Sequence, residues 1–160
     1  MAVSADAKGV VLECRQCGRK NRIPYDKLGE RGQCGSCGAD LPSLTEPVNV
    51  ASEEAFVNLI QTASLPVVVD FWAPWCQPCL MVAPEIARVA ASNAGRFVVA
   101  KVNTEDLQEL AAKLVIQAIP TMAVYRGGRE IARVTGARPA RDIEAFVQRA
   151  LREAAEPQTP

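Results

Sequence analysis

Between residues 48 and 152 the chain alternates between two hydrophobic periods. Short apolar runs predict buried strands, and segments whose apolar residues recur every three or four positions predict helices that cover them. The run Val67–Trp72 is apolar at every position except Asp70, as expected for a central strand covered on both faces. The predicted order is β-α-β-α-β-α-β-β-α, so we expect an α/β fold with a mixed central sheet flanked by helices.

Caps and turns set the boundaries of the other predicted elements. Val48–Val50 is expected to be a short edge strand, and Ser52 to cap the helix that follows it. Thr104 is expected to cap a later helix, the glycine pair at 127–128 to turn a hairpin, and Pro139 to begin the last helix. The remaining strands are expected at 97–102, 121–125 and 130–135.

The composition narrows the class of protein. The chain has 160 residues, 49% of them hydrophobic, which is enough for one domain with its own core and a small appendage. Its formal net charge is zero and no apolar stretch approaches about 20 residues, so neither nucleic acid nor a membrane is an expected partner. The first residues lack a basic segment followed by an apolar core, so we expect a cytoplasmic protein in a reducing compartment. The chain contains no histidine, which excludes Ser-His and Cys-His catalysis and histidine metal ligands.

Six cysteines fall into three Cys-x-x-Cys pairs, and one of these pairs begins a helix. The sequence Trp75-Cys76-Gln77-Pro78-Cys79 follows the central strand and precedes a helical apolar pattern. Two cysteines three apart at a helix start lie on one face, and the helix N-terminus favours a thiolate on the first. Cys76 is therefore predicted to attack a disulfide, and Cys79 to resolve the mixed disulfide. Half of a zinc site is the alternative, which the intervening proline disfavours.

The other two pairs predict a metal site in a module at residues 10–42. Sixteen residues separate the pairs, and a glycine after each pair lets the chain turn back toward the sulfurs. A module this small cannot fold on its own core, so the metal would supply most of its folding free energy. Two small disulfides, or four free thiols in a disordered tail, are the alternatives. We predict a zinc ribbon in which one Zn²⁺ is held by Cys14, Cys17, Cys34 and Cys37.

A nucleic-acid-binding ribbon is a weaker interpretation of the same module. Residues 1–42 carry seven basic and five acidic side chains, a net charge of +2, and Tyr25 is their only aromatic residue. They therefore offer a poor surface for phosphates and bases. Five segments are expected along the chain: a flexible N-terminus at 1–9, the ribbon at 10–42, a linker at 43–47, the main domain at 48–152 and a flexible C-terminus at 153–160.

The main domain, from Val48 to Leu151, resembles thioredoxin. The shared motifs are Val-Asp-Phe-Trp-Ala-Pro-Trp-Cys-x-Pro-Cys, Ala-Lys-Val-Asn, Ile-Pro-Thr, Gly-Gly and Val-Thr-Gly-Ala. The module before it is similar to the zinc-binding extension of the bacterial thioredoxin 2 group. The resemblance implies a thioredoxin fold and a monomer that reduces disulfide-containing proteins. Because the chain has no Gly-x-Gly-x-x-Gly motif, no nucleotide is expected to bind, and an NADPH-dependent thioredoxin reductase would supply the electrons in trans.

The resemblance also implies roles for one acid and one lysine. Asp70 is similar in position to the buried carboxylate that assists the second cysteine, and Lys101 to the lysine beside that carboxylate. Burial in an apolar strand disfavours the charged form, so the pKa of Asp70 should be raised. Its carboxylate would then accept the Cys79 proton through a water. The alternative is a purely structural acid paired with Lys101.

Six residues would contact the substrate. Pro120 matches a cis-proline that presents its backbone to the substrate, and Gly136 matches a glycine beside the same groove. Trp75 is expected to be a substrate contact, and Trp72 a core residue. The full set is Trp75, Gln77, Pro78, Ile119, Pro120 and Gly136.

Two positions depart from the family's pattern. Gln77 replaces the usual glycine between the cysteines, and Leu80 stands where many relatives have lysine or arginine. Both changes are expected to affect thiolate stability and hence the reduction potential. Three alternative functions remain open: a disulfide oxidant or isomerase, a zinc-ribbon binding module on a redox-controlled scaffold, and a ribbon that senses oxidants.

Overall fold

A computed structural model describes residues 3–155, which form one mixed sheet with helices on both faces. The expected α/β architecture is confirmed. The strands are β1 Ser4–Ala5, β2 Gly9–Glu13, β3 Lys20–Pro24, β4 Val48–Val50, β5 Val67–Trp72, β6 Val98–Asn103, β7 Thr121–Arg126 and β8 Arg129–Thr135. The helices are α1 Glu53–Thr62, α2 Gln77–Ser92, α3 Gln108–Lys113 and α4 Ala140–Ala155, with a short 3₁₀ helix at Tyr25–Lys27.

The strand order across the sheet is β3-β2-β1-β4-β6-β5-β7-β8. The central strand β5 is parallel to β6 and antiparallel to β7. In this register Asp70 of β5 lies beside Lys101 of β6 on one side and Met122 of β7 on the other. The end of β5 and the start of β7 therefore meet at one end of the sheet, where the chain leads into α2.

Alternate residues of β5 pack on opposite faces of the sheet. Val67, Val69 and Phe71 contact the layer that contains α1 and α3, whereas Val68 contacts the layer that contains α2 and α4. Because side chains alternate along a strand, Asp70 points to the same face as Val68. The buried acid is thus directed toward the face that α2 covers.

The N-terminal residues belong to the sheet, which corrects two predictions. Strand β1 pairs antiparallel with β2 and parallel with β4, and both Val3 and Ala5 are buried. The prediction of a flexible segment at 1–9 is therefore wrong for the residues that the structure describes, and β4 is an interior strand rather than an edge. A two-residue strand has no periodic signal of its own, because only its pairing with distant strands defines it.

The ribbon shares the main hydrophobic core. Tyr25 is buried, its hydroxyl donates a hydrogen bond to the carbonyl oxygen of Asp6, and its own carbonyl accepts the Ser64 N–H at 3.1 Å. The module therefore has no separate core among the described residues, and it completes the core of the whole chain. The ribbon residues in the cluster that also contains side chains of α1 and β5 are Val10, Leu12, Tyr25 and Leu28.

One predicted helix cap is confirmed and another is wrong. The Ser52 hydroxyl accepts a backbone N–H from the first turn of α1 at 3.1 Å, as predicted. Helix α3 begins only at Gln108, and the Thr104 hydroxyl donates to the carbonyl oxygen of Trp72 at 3.1 Å instead of capping a helix. The turn before α3 is made by Asn103, whose side chain accepts the next two free backbone N–H groups at 2.9 and 3.4 Å.

The last helix extends further than predicted. Helix α4 begins directly after Pro139 and continues to Ala155. The flexible C-terminus predicted at 153–160 is therefore wrong for residues 153–155, and the rest of that segment lies outside the described residues. Within residues 3–155, none of the helices has both the length and the apolar character that crossing a bilayer requires.

Candidate dithiol site and metal centre

Cys76 occupies the N-cap position of α2. Its backbone is extended, with φ −89° and ψ 107°, and Pro78 lies in the first turn, where a missing N–H leaves no partner unsatisfied. The Cys79 N–H donates to the Cys76 sulfur at 3.2 Å, and the two cysteines are joined by a disulfide. The sequence therefore places both sulfurs at the one point where the helix dipole stabilises a negative charge.

Asp70 is a buried carboxylate without a protein partner. Only 1% of the residue is exposed, and neither carboxylate oxygen has a hydrogen-bond partner among the described residues. Burial raises its pKa to about 6, and the nearby charge of Lys101 opposes that rise. The raised pKa was predicted from the sequence. An acid with this pKa can exchange a proton near neutral pH.

Lys101 does not form an ion pair with Asp70. Its ammonium group lies 4.5 Å from the centroid of the Trp72 ring, a cation–π geometry, and no lysine nitrogen lies within 4.0 Å of the Asp70 oxygens. The alternative of a structural Asp70–Lys101 pair is therefore not what the structure contains. Trp72 was predicted to be a core residue. It is only partly buried, and it packs against the cysteine pair.

The loop before β7 forms a second wall of the site. The Ile119–Pro120 peptide bond is cis, and the Ile119 carbonyl oxygen lies 3.9 Å from the Cys76 sulfur. The Gly136 N–H donates to the Pro120 carbonyl oxygen at 2.9 Å, and the φ of Gly136 is +106°, a conformation that a side chain would strain. The structure thus places Ile119 beside the Cys76 sulfur, and Pro120 and Gly136 follow it in the same hydrogen-bonded wall.

The opposite rim of the site is exposed and uncharged. Trp75 is 68% exposed, and Gln77 and Pro78 are exposed beside it. Leu80 and Met81, on the first turns of α2, are also exposed. Trp75, Gln77 and Pro78 flank the two cysteines in sequence, and Ile119 lies beside the Cys76 sulfur. That the six residues contact a substrate stays a prediction.

The four ribbon cysteines converge on one point. Their sulfurs all lie within 4.8 Å of one another, with Cys14 and Cys37 at 3.7 Å and Cys17 and Cys34 at 3.6 Å. Sulfurs bound to a tetrahedral zinc at about 2.3 Å stand about 3.8 Å apart, so the donor set fits this metal. The alternative of two disulfides within the pairs is not what the structure contains, because all four thiols are free.

Two matching turns bring these sulfurs together. Gly18 and Gly38 both have a φ of +77°, and their N–H groups donate to the carbonyl oxygens of Cys14 and Cys34 at 2.8 and 2.9 Å. Backbone N–H groups of Cys37 and Ser36 point at the Cys34 sulfur and hold the pKa of this thiol down to about 6. The predicted function of the glycines, turning the chain back toward the sulfurs, is confirmed.

Asn21 is a residue of the candidate metal centre that the sequence did not indicate. Its amide nitrogen lies 3.5 Å from the Cys34 sulfur and donates to the carbonyl oxygen of Arg19 at 3.0 Å, while its amide oxygen accepts the Gly35 N–H at 3.0 Å. A single side chain therefore links the two cysteine turns. A lone asparagine in a basic segment has no sequence signature for this contact, which depends on the pairing of β3.

A dithiol that closes reversibly into a disulfide is the working part of a thiol–disulfide oxidoreductase, and this is the class that the fold and the site define. The family model for thioredoxin matches residues 47–149, and the model for the N-terminal part of thioredoxin 2 matches residues 13–39. The chain belongs to the thioredoxin family.

Individual relatives agree with this assignment. Thioredoxin C-3 of Corynebacterium nephridii is 37% identical over 144 residues, which cover 90% of this chain and 97% of the relative. Thioredoxin 1 of Chlorobaculum tepidum is 40% identical over 94 residues, covering 59% and 93% of the two chains. The solved thioredoxin of Malassezia sympodialis has a TM-score of 0.60 and 29% identity, covering 69% of this chain and 96% of its own. The predicted fold, family and disulfide oxidoreductase activity are confirmed.

Proposed function

We propose that this chain reduces disulfides in proteins, with Cys76 as the attacking thiol and Cys79 as the resolving thiol. The position of Cys76 at the N-cap of α2, beside the Ile119 carbonyl, is the observation that carries the proposal. The Cys76 thiolate attacks one substrate sulfur, and the other leaves as a thiolate and takes up a proton. The Cys79 thiolate then attacks the Cys76 sulfur. Two electrons have passed to the substrate, and the protein is left with the Cys76–Cys79 disulfide.

Asp70 is proposed to accept the proton of Cys79. Three observations support this role: the acid faces the side of the sheet that α2 covers, it has no protein partner, and its pKa is about 6. A water between the two groups would carry the proton. Lys101 is proposed to limit the rise of the Asp70 pKa through its charge, without a direct contact.

The substrate is proposed to lie across the disulfide, between the two walls of the site. One wall consists of the exposed start of α2, and the other presents the backbone of the cis-proline loop. A polypeptide next to Ile119–Pro120 would find backbone groups there for hydrogen bonds, while Trp75 would cover its apolar side chains. The proposed contacts are Trp75, Gln77, Pro78, Ile119, Pro120 and Gly136.

Electrons are proposed to come from an NADPH-dependent thioredoxin reductase in trans, since the sequence contains no Gly-x-Gly-x-x-Gly motif. We propose that the protein acts as a monomer in the cytoplasm, where a reducing environment keeps the four ribbon thiols free to bind metal. The ribbon is proposed to hold one zinc ion through its four cysteines. The zinc would fix the fold of the ribbon and take no part in thiol exchange.

The test is insulin reduction by the zinc-loaded protein with NADPH and thioredoxin reductase. We expect turnover by the natural chain, none by Cys76→Ser, and a trapped mixed disulfide with insulin in Cys79→Ser, because the second attack is then missing. If Cys76→Ser retains turnover, the proposal is wrong. If the natural chain forms disulfides in a reduced substrate faster than it breaks them, the oxidant alternative is favoured instead.

A further inference from the structure

Val115 has an unusual backbone conformation. Among residues 3–155 it is the single non-glycine residue with a positive φ, +55°. Branched side chains are strained in this left-handed region, which glycine and asparagine enter more easily. The side chain is also 59% exposed, so burial does not compensate for the strain. A valine here needs another explanation.

The left-handed backbone conformation at residue 115 is required to end α3, but the valine side chain is not. The Val115 N–H donates to the Ala112 carbonyl at 3.1 Å, and the Ile116 N–H donates to the Ala111 carbonyl at 2.9 Å. This pair of bonds closes many helices, and its left-handed residue is most often glycine. Glycine would close α3 equally well without strain, so helix termination does not explain the side chain.

Arg133 of β8 fixes this conformation from outside the helix. Its guanidinium donates to the carbonyl oxygens of Val115 and Leu114 at 2.9 and 2.8 Å. The same group is held by Glu130 through bonds of 2.7 and 3.1 Å. The carbonyls at the end of α3 thus have a rigid, positively charged partner, which is the favourable charge for a helix C-terminus.

Val115 belongs to the loop that forms the wall of the dithiol site. Four residues further along this loop, the Ile119 carbonyl lies 3.9 Å from the Cys76 sulfur. Strand β8 and the residue after it hold both ends of the loop, since Arg133 binds the Val115 carbonyl and Gly136 binds the Pro120 carbonyl. An exposed apolar side chain is therefore fixed on the same rigid segment that faces the reacting sulfur.

We propose that Val115 is a specificity-determining residue, which contacts an apolar side chain next to the disulfide of a polypeptide substrate. The inference rests on the proposed reductase function. Together with Trp75, Leu80 and Met81, Val115 completes the set of large hydrophobic residues that are exposed among residues 3–155, and the other three lie within five residues of Cys76. Arg133 is a positioning residue, because it acts by holding Val115 in place.

Two matched peptides provide the test. Each has one internal disulfide, and they differ only in having leucine or serine beside the cysteines. With dithiothreitol as the reductant, we expect the natural chain to favour the leucine peptide in kcat/KM by about fivefold, the factor that burial of about 40 Å² of apolar surface gives. Val115→Gly and Val115→Asn both accept a positive φ, so their Tm should be equal or higher while this preference falls toward one.

The small disulfide 5,5′-dithiobis(2-nitrobenzoic acid) provides the control, because it has no amino-acid side chain next to its disulfide that Val115 could contact. Its reduction by the pre-reduced protein, in the absence of dithiothreitol, should be unchanged in both Val115 variants. A preserved leucine preference, or an equal loss on all three substrates, would overturn the inference. If the natural chain reduces none of them, the reductase proposal itself is wrong and this inference with it.

A double-mutant cycle tests the positioning role of Arg133. Arg133→Met should lower the leucine preference while leaving reduction of the small disulfide unchanged. In the double variant with Val115→Gly, the preference should equal that of Val115→Gly alone, because no side chain remains to be held in place. Additive losses would show that Arg133 acts by another route.

Discussion

Cys76 and Cys79 begin a sixteen-residue helix, whereas each cysteine pair of the ribbon leads into a glycine with a φ of +77°. The spacing of the two cysteines is the same in all three pairs. In the helix, the second cysteine's N–H is directed at the first sulfur and the two sulfurs face each other. In the ribbon, the glycine turns the chain away, so that the sulfurs of each pair face those of the other pair.

The difference teaches that the residues around a Cys-x-x-Cys pair decide its chemistry. A proline between the cysteines and an apolar helix after them give a pair that can form a disulfide. Glycines after the cysteines, with basic residues such as Arg15, Arg19 and Lys20 nearby in sequence, give thiols suited to a shared cation. Spacing alone identifies a pair, and the local backbone assigns it to redox or metal chemistry.

Replacing one cysteine of each kind should give opposite phenotypes, and this is the largest expected effect. Cys76→Ser should lower insulin turnover by about a thousandfold or more while the protein keeps one zinc. Cys34→Ser should lose the zinc and lower the free energy of unfolding by about 4 kcal/mol, when free zinc exceeds its dissociation constant about a thousandfold. Zinc content and urea unfolding measure both outcomes.

Because the ribbon and the main domain share one core, loss of zinc should destabilise both. Because the ribbon strands belong to the same sheet and cluster as α1 and β5, zinc removal should shift unfolding of the whole chain in one transition. Two separate transitions, with the redox domain unaffected, would show that the ribbon is energetically independent in spite of its packing. In that case the contacts of Tyr25 with Asp6 and Ser64 are too weak to couple unfolding of the ribbon to unfolding of the main domain.

Asp70→Asn tests the buried acid of β5. The folded pKa of about 6 lies above the ordinary value of 3.8, so the Asp70 contribution to stability is fully present below about pH 4 and is lost as the pH rises through 6. The change in the free energy of unfolding caused by Asp70→Asn should therefore be more favourable at pH 8 than at pH 4 by ~3 kcal/mol. The difference between the two pH values is the measurement, since it cancels any pH-independent effect of the amide.

The same variant should also slow thiol chemistry. If Asp70 accepts the Cys79 proton, release of the mixed disulfide should become slower, and its pH dependence near 6 should disappear. A variant that shows the stability change but keeps the natural pH profile of disulfide release would leave Asp70 a structural acid. Lys101→Met is a useful comparison, because removing that charge should raise the Asp70 pKa further.

Most of the fold could be predicted from the sequence, because long elements carry their own periodicity. The run Val67–Trp72 and the apolar spacing of α2 and α4 specify a sheet covered on both faces, and the structure has this arrangement. Strand β1 could not be predicted, because Ser4–Ala5 is a strand only through its pairing with residues of β2 and β4. This one missed element led to the wrong description of β4 as an edge.

The residues of the candidate site also fall into two groups, those that the sequence indicated and those that it did not. The cysteines, Asp70 and the cis-proline lie in continuous motifs, so resemblance located all of them. Arg133 and Asn21 act on groups that are far away in sequence, 18 residues for Val115 and 13 for Cys34. Neither residue type is unusual where it occurs, so nothing in the sequence marked them. Contacts that depend on tertiary pairing became visible only in the folded chain.

Asn21→Ala should weaken zinc binding without removing it. The side chain orients one ligand and links the two turns, and loss of such supporting contacts commonly lowers metal affinity by about 10- to 100-fold. Competition with a chromogenic chelator measures the change, and insulin turnover at saturating zinc should stay the same. Arg19→Ala is the matched control, because only its backbone carbonyl contacts Asn21. Equal affinities for the two variants would contradict the role of Asn21.

Leu80→Lys should have the smallest effect. Position 80 lies one turn after Cys76 on the same side of α2 and is exposed, so an added cation would stabilise the thiolate through solvent. Exposed pairs of this kind contribute about 0.3–0.5 kcal/mol, which predicts a rate of alkylation by iodoacetamide at pH 6 that is about twofold higher in the reduced protein. The measurement is made at low ionic strength.

Salt and the next residue separate this charge effect from a change in helix structure. The advantage of Leu80→Lys should disappear at 1 M salt, where the screening length is about 3 Å. Met81→Lys adds the same charge about 100° further around the helix, and it should leave the rate nearly unchanged. If both variants gain equally, or if salt has no effect, the charge does not act on Cys76. The departure at position 80 would then concern the exposed apolar surface at the start of α2 rather than the reactivity of the thiol.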